Sequence, residues 1–426
     1  MSGAAIIDDL AAHGLIHDST DPAALRARLD EGPITLYVGF DPTGPSLHIG
    51  HLVPLLVLRR FQQHGHVPIA LAGGATGMVG DPGGRSAERN LLDAETLTHN
   101  VGRIRTQLSA FLDFAPGPEQ ARLVNNYDWT RDVPLLDFLR DVGKHVPVNV
   151  MLAKDSIKSR LEAGGISYTE FSYMLLQAFD FWHLHGSEGC ELQAGGADQW
   201  GNITAGVDLI RRRSSASAHG LTVPLLTRAD GQKFGKTAEG AIWLDPELTT
   251  PYALYQYFVN VDDADLEMML LRLTLLPVEE ATAIAASHAA APERRAGQQR
   301  LAREMVALIH GAAAAEEAVS ASRGFTRSAR DLSVDELEVL ASEIPASAMA
   351  SLEGDLVALL VRTGLASSNG DARRTIAGGG ISLNDERVAE PRELVRGDLL
   401  HDRYLMLRKG KRQRHLVVIG ETAADG

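Results

Sequence analysis

Apolar and polar positions change period several times along this chain, and each change marks an element. From Thr35 to Phe40 the residues alternate and are rich in strand formers, so Thr35-Leu36-Tyr37-Val38-Gly39-Phe40 predicts a β-strand. Leu55, Leu56, Leu58 and Phe61 then take helical spacing. Pro54 lacks a backbone N–H and is tolerated only in a first turn, which sets the helix start around Gly50 to His51. Val67 to Ala72 ends at Gly73-Gly74, Leu123-Val124 leads into Asn125-Asn126-Tyr127, and Leu221 to Leu226 forms a further apolar run. Strand-like and helical segments alternate in this way from about 33 to 225, the signature of an α/β fold with a parallel sheet.

Residues 130–180 read as mostly helical, an insertion between two halves of that sheet. Inside it, Tyr173, Gln177 and Asp180 stand at i, i+4 and i+7, on one helical face. A solvated face is the ordinary reading of such a stripe. The flanking Phe171, Met174, Leu175, Leu176, Phe179, Phe181 and Trp182 make the segment too apolar for that, and buried polar groups must find partners.

Beyond Pro251 the strand period disappears as far as Ser322, and alanine-rich amphipathic stretches such as Glu279 to Ala289 and Leu301 to Ala315 predict helices. Gly324 to Ala350, with Pro345 and mixed small residues, reads as a linker. The last part predicts a helix over Leu356 to Leu365 and a second helix capped by Ser368 and stopped at Gly378-Gly379-Gly380. Short strands follow at Ile381 to Asp385 and Arg403 to Ile419, the latter bent around Lys409-Gly410-Lys411.

Composition narrows the class. The chain has 426 residues, 45% hydrophobic and 23% charged, enough for two to four globular domains. Met1 to Leu10 carries Asp8 and Asp9 and lacks the pattern of a secretory signal. No apolar run approaches the roughly 18 to 20 residues of a membrane helix, so a cytoplasmic enzyme without membrane partners is the expectation. Cys190 is the single cysteine, which excludes an intrachain disulfide and a cysteine-cluster zinc site and suits a packed small residue. The formal charge of −14 argues against indiscriminate polyanion binding, yet local basic patches stand at Arg211-Arg212-Arg213 and between Arg403 and His415.

Chemistry concentrates in a few places. Asp41-Pro42-Thr43-Gly44-Pro45-Ser46-Leu47-His48-Ile49-Gly50-His51 joins the first strand to its helix and puts two imidazoles at the helix's positive end. Far downstream, Lys233-Phe234-Gly235-Lys236-Thr237 offers two ammoniums on a glycine-containing loop after the last sheet strand. The histidine pair alone suits a metal site, a phosphate site or packing, and two lysines alone suit an exposed turn. Together, at strand ends of an α/β fold, they suit a nucleotide triphosphate. No metal-ligand spacing of the HExxH kind occurs. Gly195-Gly196-Ala197-Asp198-Gln199 lets a backbone approach a ligand closely, with an acid able to accept from ribose hydroxyls; a plain tight turn is the competing reading.

Taken in order, Tyr37 to Thr43, His48-Ile49-Gly50-His51, Gly73 to Gly77, Gly80-Asp81-Pro82, Asn125 to Trp129, the Tyr173 to Asp180 helix, Gly195 to Asn202 and Lys233 to Thr237 resemble the bacterial tyrosyl-tRNA synthetases of class I over essentially the whole chain. The resemblance implies a Rossmann-like parallel-sheet catalytic domain over 1–225 with its helical insertion. A lysine loop and connector at 226–246, an α-helical domain at 247–322, a linker at 323–351 and a small α+β RNA-binding module at 352–420 would follow.

It further implies that tyrosine and ATP, accompanied by Mg2+, give tyrosyl-adenylate and pyrophosphate, and that tyrosine then passes to the 3′ end of tRNA(Tyr). Thr43, His48, Arg85, Lys233, Lys236 and Thr237 would hold the departing pyrophosphate. His51, Gly196 and Asp198 would hold the ribose, with Asp41, Gly50 and Gln199 completing the ATP site and no dedicated metal cage. Tyr37 and Asp180 would bracket the phenolic hydroxyl, and Asp81, Tyr173 and Gln177 the ammonium. A buried pair built to bond a hydroxyl rejects phenylalanine without editing, an effect of which the tyrosine enzymes are a standard illustration. Arg373, Arg374, Lys409, Lys411 and Arg412 would contact RNA phosphates, and the insertion would supply a homodimer interface.

Three positions depart from the commonest family pattern. The lysine loop reads KFGKT in place of KMSKS, Arg85 stands where lysine is common, and Pro54 opens the histidine helix. The rival readings are a tryptophan-specific relative, a non-catalytic RNA-binding relative and a small-molecule nucleotidyltransferase of the same superfamily. Tyr37 with Asp180 and the RNA module speak against the first, the intact signature motifs against the second, and the chain's length with its RNA module against the third.

Overall fold

The computed structural model describes residues 5–82, 93–162, 164–228, 231, 234–237, 240–324, 328–352, 354–410 and 413–420. They fall into two compact units, one drawn from Met1–Thr249 and Val261–Leu301, the other from Thr250–Asn260 and Ala302–Gly426.

The first unit is built on a six-stranded sheet: β1 (Asp18–Ser19), β2 (Thr35–Phe40), β3 (Val67–Ala72), β4 (Arg122–Asn125), β5 (Cys190–Gly196) and β6 (His219–Val223), in the order β1-β6-β5-β2-β3-β4. All neighbours are parallel except β1, which runs antiparallel along β6. β2, β5 and β6 are almost wholly buried, as expected of strands covered on both faces. β6 stops at Val223 because Pro224 has no N–H to continue the ladder.

Strand order reverses at β2. The chain moves outward from β2 to β3 and β4, then returns to β2's other side with β5 and continues to β6. Such a reversal opens a crevice beyond the carboxyl ends of the two central strands, and both chemistry-bearing turns leave from there. Between β4 and β5 lie the expected helices of the insertion, ending in the 21-residue helix Tyr168–Glu188. That helix starts at the Ser167 cap and stops at Gly189 in the left-handed conformation. A short hairpin of β7 (Lys236–Thr237) and β8 (Gly240–Ala241) closes the lysine-loop region.

The described residues of 247–322 form helices joined by short turns, but these helices are shared between the two units. Asp263–Leu273 and Val278–Ala290 belong with the first. The connection between them is held there by buried polar bonds: Arg60 donates to the Thr274 carbonyl at 2.9 Å, and His13 Nε2 lies 3.1 Å from the Leu276 carbonyl. Pro251–Val259 and Ala312–Gly324 belong with the second. Amphipathic spacing identifies such helices but not the partners of their apolar faces.

The second unit carries a five-stranded sheet of β9 (Ala346–Met349), β10 (Ile381–Leu383), β11 (Glu386–Arg387), β12 (Tyr404–Lys409) and β13 (Gln413–Ile419), in the order β11-β10-β12-β13-β9. The segment 323–351 is therefore not a plain linker. It holds the helix Val334–Glu343, opened by a Ser333/Glu336 capping box, and β9, which pairs in parallel with β13. Leu356, Leu360, Ile376, Ile381, Leu405, Leu407 and Val417 form one core of this unit. Leu337, Leu340, Tyr404, Met406 and Leu416 form another, which draws the supposed linker helix into the module. None of the described helices is long and apolar enough to cross a membrane.

Candidate active site

The crevice beyond β2 and β5 is a cleft of about 340 Å³. It is lined from β2 and its turn by Tyr37, Asp41, Thr43, His48, Gly50 and His51. The Tyr168–Glu188 helix contributes Tyr173, Gln177 and Asp180, the end of β5 contributes Gln193, Gly196, Asp198 and Gln199, and the hairpin region contributes Phe234 and Gly235. Spacing of i, i+4 and i+7 does place the three polar residues of the helix on one wall.

Asp180 is 2% exposed, and its carboxylate accepts from Asn126 Nδ2 and from Trp129 Nε1, both at 2.9 Å. Burial pushes its pKa up to about 7 against these two donors, and the charge of Asp41 adds to the rise. Tyr37 is 1% exposed, its ring tilted against Phe181 at a centroid distance of 5.4 Å. Among the described residues its hydroxyl has no hydrogen-bond partner. Burial, with the negative charge of Asp180 behind it, holds that phenol well above its ordinary pKa. A buried, unpaired hydroxyl on the wall of a cleft costs stability unless a ligand completes it. Gln193, beside Tyr37 in the β2–β5 register, has a buried Oε1 on the same wall that finds no partner among the described residues.

Asn126 extends this wall into a network. Its amide donates to Thr76 Oγ1 at 3.0 Å and accepts from the backbone of Ala75 at 2.7 Å, so the fully buried side chain is satisfied. Thr76 donates to Asp41 Oδ1 and Tyr173 Oη donates to Asp41 Oδ2, each at 2.7 Å. Tyr173, Asp41, Thr76, Asn126, Asp180 and Trp129 thus form one continuous chain of hydrogen bonds. Only glycine fits at position 73, where a Cβ would lie 2.1 Å from Asp41 Oδ1 and 2.4 Å from Thr76 Oγ1. Sequence reasoning assigned no role to Thr76, Asn126, Trp129 or Gln193. The asparagine and tryptophan placed immediately after an expected strand end were the available signal.

The histidine turn is a single 3-10 turn, Ile49–His51, running into the helix Leu52–Gln63 with Pro54 at its third residue. His48 Nδ1 accepts from the Gly50 N–H and His51 Nδ1 from the His48 N–H, both at 3.1 Å. Both bonds fit the tautomer with hydrogen on Nε2. The two rings stack at 3.9 Å. In the lysine loop, Gly235 takes φ +85°, a left-handed conformation suited to glycine, and Ile242 N–H returns to its carbonyl at 3.1 Å.

Of the other expected residues, Asp81 is buried and accepts from Gln199 Nε2 at 2.6 Å, and Asp198 lies exposed on the rim of the cleft. Arg85 and Lys233 lie outside the described residues, and Lys236 and Thr237 are placed through their backbone in β7. In the second unit, Arg373 and Arg374 are exposed on the helix Asn369–Ala377. Lys409 is half-buried; it donates to the Leu365 carbonyl at 2.7 Å and lies 3.8 Å from the Asp371 carboxylate, so it also ties strand to helix. Lys411 and Arg412 lie outside the described residues. Among the described residues no three His, Cys, Asp or Glu side chains gather into a metal-holding group.

Comparison with known proteins adds two family matches. Residues 29–326 match the tRNA synthetases of class I (W and Y), and residues 336–417 match the tyrosine–tRNA ligase SYY-like C-terminal domain. A relative from Opitutus terrae, named tyrosine–tRNA ligase, is 54% identical over 97% of this chain and 99% of its own length. One of the same name from Roseiflexus castenholzii is 51% identical with equal coverage. Among solved structures, a C-terminally truncated mitochondrial tyrosyl-tRNA synthetase from Aspergillus nidulans aligns with TM-score 0.68 at 34% identity, covering 75% of this chain and 93% of that one.

Proposed function

Because this chain belongs to the class I family of tryptophan and tyrosine tRNA synthetases and is a tyrosine–tRNA ligase, we propose that the cleft divides the reaction between two sets of residues. One set selects the amino acid. Tyr37 and Asp180 take the phenolic hydroxyl, Asp180 as acceptor and Tyr37 as the group whose unpaired hydroxyl a ligand completes. Asp81, Tyr173 and Gln177 hold the ammonium, Asp41 fixing the Tyr173 hydroxyl from behind and Gln199 fixing Asp81. The unpaired Tyr37 hydroxyl beside the two-donor Asp180 carboxylate is the observation that carries this assignment.

The second set manages phosphate charge. The substrate carboxylate is already ionised, so no general base is needed. Its oxygen bonds to the α-phosphorus of ATP as the bond to the bridging oxygen breaks, and pyrophosphate leaves with that electron pair. Catalysis then rests on placement and on donors aimed at the departing oxygens. Thr43, His48, Arg85, Lys233, Lys236 and Thr237 fill that role, His51, Gly50, Gly196 and Asp198 face the nucleoside, and Mg2+ arrives with ATP as part of the substrate. In the second step a ribose hydroxyl at the 3′ end of tRNA(Tyr) attacks the tyrosyl carbonyl and AMP leaves.

The small module grips the tRNA, with Arg373 and Arg374 as phosphate contacts, a reading supported by their exposure on one helix. The chain works as a homodimer through the insertion, a reading supported by the exposed Leu135, Leu136, Val148 and Leu152. The bacterial relatives and the substrates ATP and tRNA support a cytoplasmic setting. The test is amino-acid-dependent ATP–pyrophosphate exchange without tRNA, run across all proteinogenic amino acids. Exchange with tyrosine alone is expected; exchange with tryptophan would overturn the pocket assignment.

A further inference from the structure

Gln107, on the helix Ala94–Phe111, bonds to the segments that flank both halves of the proposed phosphate apparatus without lining the cleft. Its Oε1 accepts from the backbone N–H of Leu47 at 2.8 Å, and its Nε2 donates to the buried Ser46 hydroxyl at 2.9 Å. The same Nε2 lies 3.4 Å from Asp245 Oδ2. One turn earlier on the helix, Arg103 pairs with Asp245 and, at 2.9 Å, with Glu247. Ser46-Leu47 leads into the histidine turn, and Asp245 follows the strand leaving the lysine loop.

These two segments already meet. Ile49 N–H donates to the Ile242 carbonyl at 3.1 Å, Leu244 N–H to the Leu47 carbonyl at 2.8 Å, and His48 forms an antiparallel bridge with Trp243. So short a ladder leaves the segments weakly fixed. We propose that Gln107 is a positioning residue, which clamps the histidine turn to the segment after the lysine loop and so sets the spacing of the groups that meet the ATP phosphates. A brace for the fold alone would serve tyrosine and ATP equally. The bonds of this clamp go to Ser46, Leu47 and Asp245, and none of them joins Tyr37 or the hydrogen-bonded chain that ends at Asp180.

The inference rests on the phosphate role of the two segments, and the test separates the two. Full-length Q107L removes the polar contacts to Leu47, Ser46 and Asp245 at nearly constant volume. Its kcat/KM for ATP in tyrosine-dependent exchange should fall about 10- to 100-fold, the scale of a small misplacement, while tyrosine affinity measured by equilibrium dialysis without ATP stays at the wild-type value. Q107E keeps the acceptor for Leu47 but sets a second carboxylate against Asp245, so it too should lose ATP efficiency. Adding D245N should restore it. Equal losses for tyrosine and ATP, unchanged ATP kinetics in Q107L, or failure of D245N to rescue Q107E would each overturn the clamp. If the unaltered chain exchanged with no amino acid, the assigned reaction would fall, and weakened ATP binding by Q107L in dialysis would still support the clamp.

Discussion

Tyr37→Phe tests the selectivity wall through two readouts of opposite sign. The substitution removes one oxygen and leaves the ring packed on Phe181. In the free protein that oxygen is buried without a partner among the described residues, an arrangement that costs about 1 to 3 kcal/mol. Removing it should stabilise the unliganded chain by on the order of 1 kcal/mol and raise the thermal midpoint by about 2 °C. With tyrosine bound in the proposed pose, the same change would delete a hydrogen bond to the substrate hydroxyl. The preference for tyrosine over phenylalanine in kcat/KM should then fall by on the order of tenfold, the worth of one neutral hydrogen bond in a dry site. Differential scanning calorimetry with and without tyrosine, together with pyrophosphate exchange for both amino acids, measures the two effects. A variant less stable than wild type when free, or one with unchanged preference, would refute the reasoning.

Asp180→Ala should reduce the preference for tyrosine further, because it leaves Asn126 and Trp129 without their acceptor; unchanged selectivity in exchange assays would remove Asp180 from the pocket. Asp180 titrates near 3.8 when unfolded and about 7 when folded, so the folded chain binds the extra proton between those values. The contribution of Asp180 to the stability of the free protein should therefore be present at acid pH and lost as pH rises through about 7, while KM for tyrosine improves over the same range; Asp180→Asn should flatten both profiles, as followed by denaturant titration and kinetics. Glu170→Ala strands the buried Arg160, with which it makes two bonds of 2.8 Å, and should cost about 3 to 5 kcal/mol by chemical denaturation. Removing residues 328–426 should spare adenylate formation and impair tRNA charging, read by exchange and aminoacylation assays; equal loss of both would show the module to be structural.

That cut differs from the boundary near residue 350 that composition suggests, and the difference shows what a sequence conceals. Alternation revealed β2, an apolar run ending at paired glycines revealed β3, and the i, i+4, i+7 stripe located three polar residues of the cleft, because each signal is local to its own stretch of backbone. Pairing of β9 with β13 spans about seventy residues and leaves no period in Ala346–Met349. The division of the 247–322 helices follows from contacts such as Arg60 with Thr274, which no amphipathic pattern encodes. In the cleft, many lining residues were legible through their motifs. Asn126, Thr76 and Gln107 were not, since their importance comes from what they bond across the fold.

The hydrogen-bonded chain from Tyr173 through Asp41, Thr76 and Asn126 to Asp180 also bears on how such a pocket can change over evolutionary time. Each member is donor or acceptor to the next, so replacing one alone leaves a neighbour unsatisfied in the interior. Substitutions along it should be strongly epistatic, and most single-step routes to a different amino acid pass through a destabilised intermediate. Drift in specificity is thereby checked by the fold itself, which lets the surrounding sequence diverge while the choice of amino acid stays put.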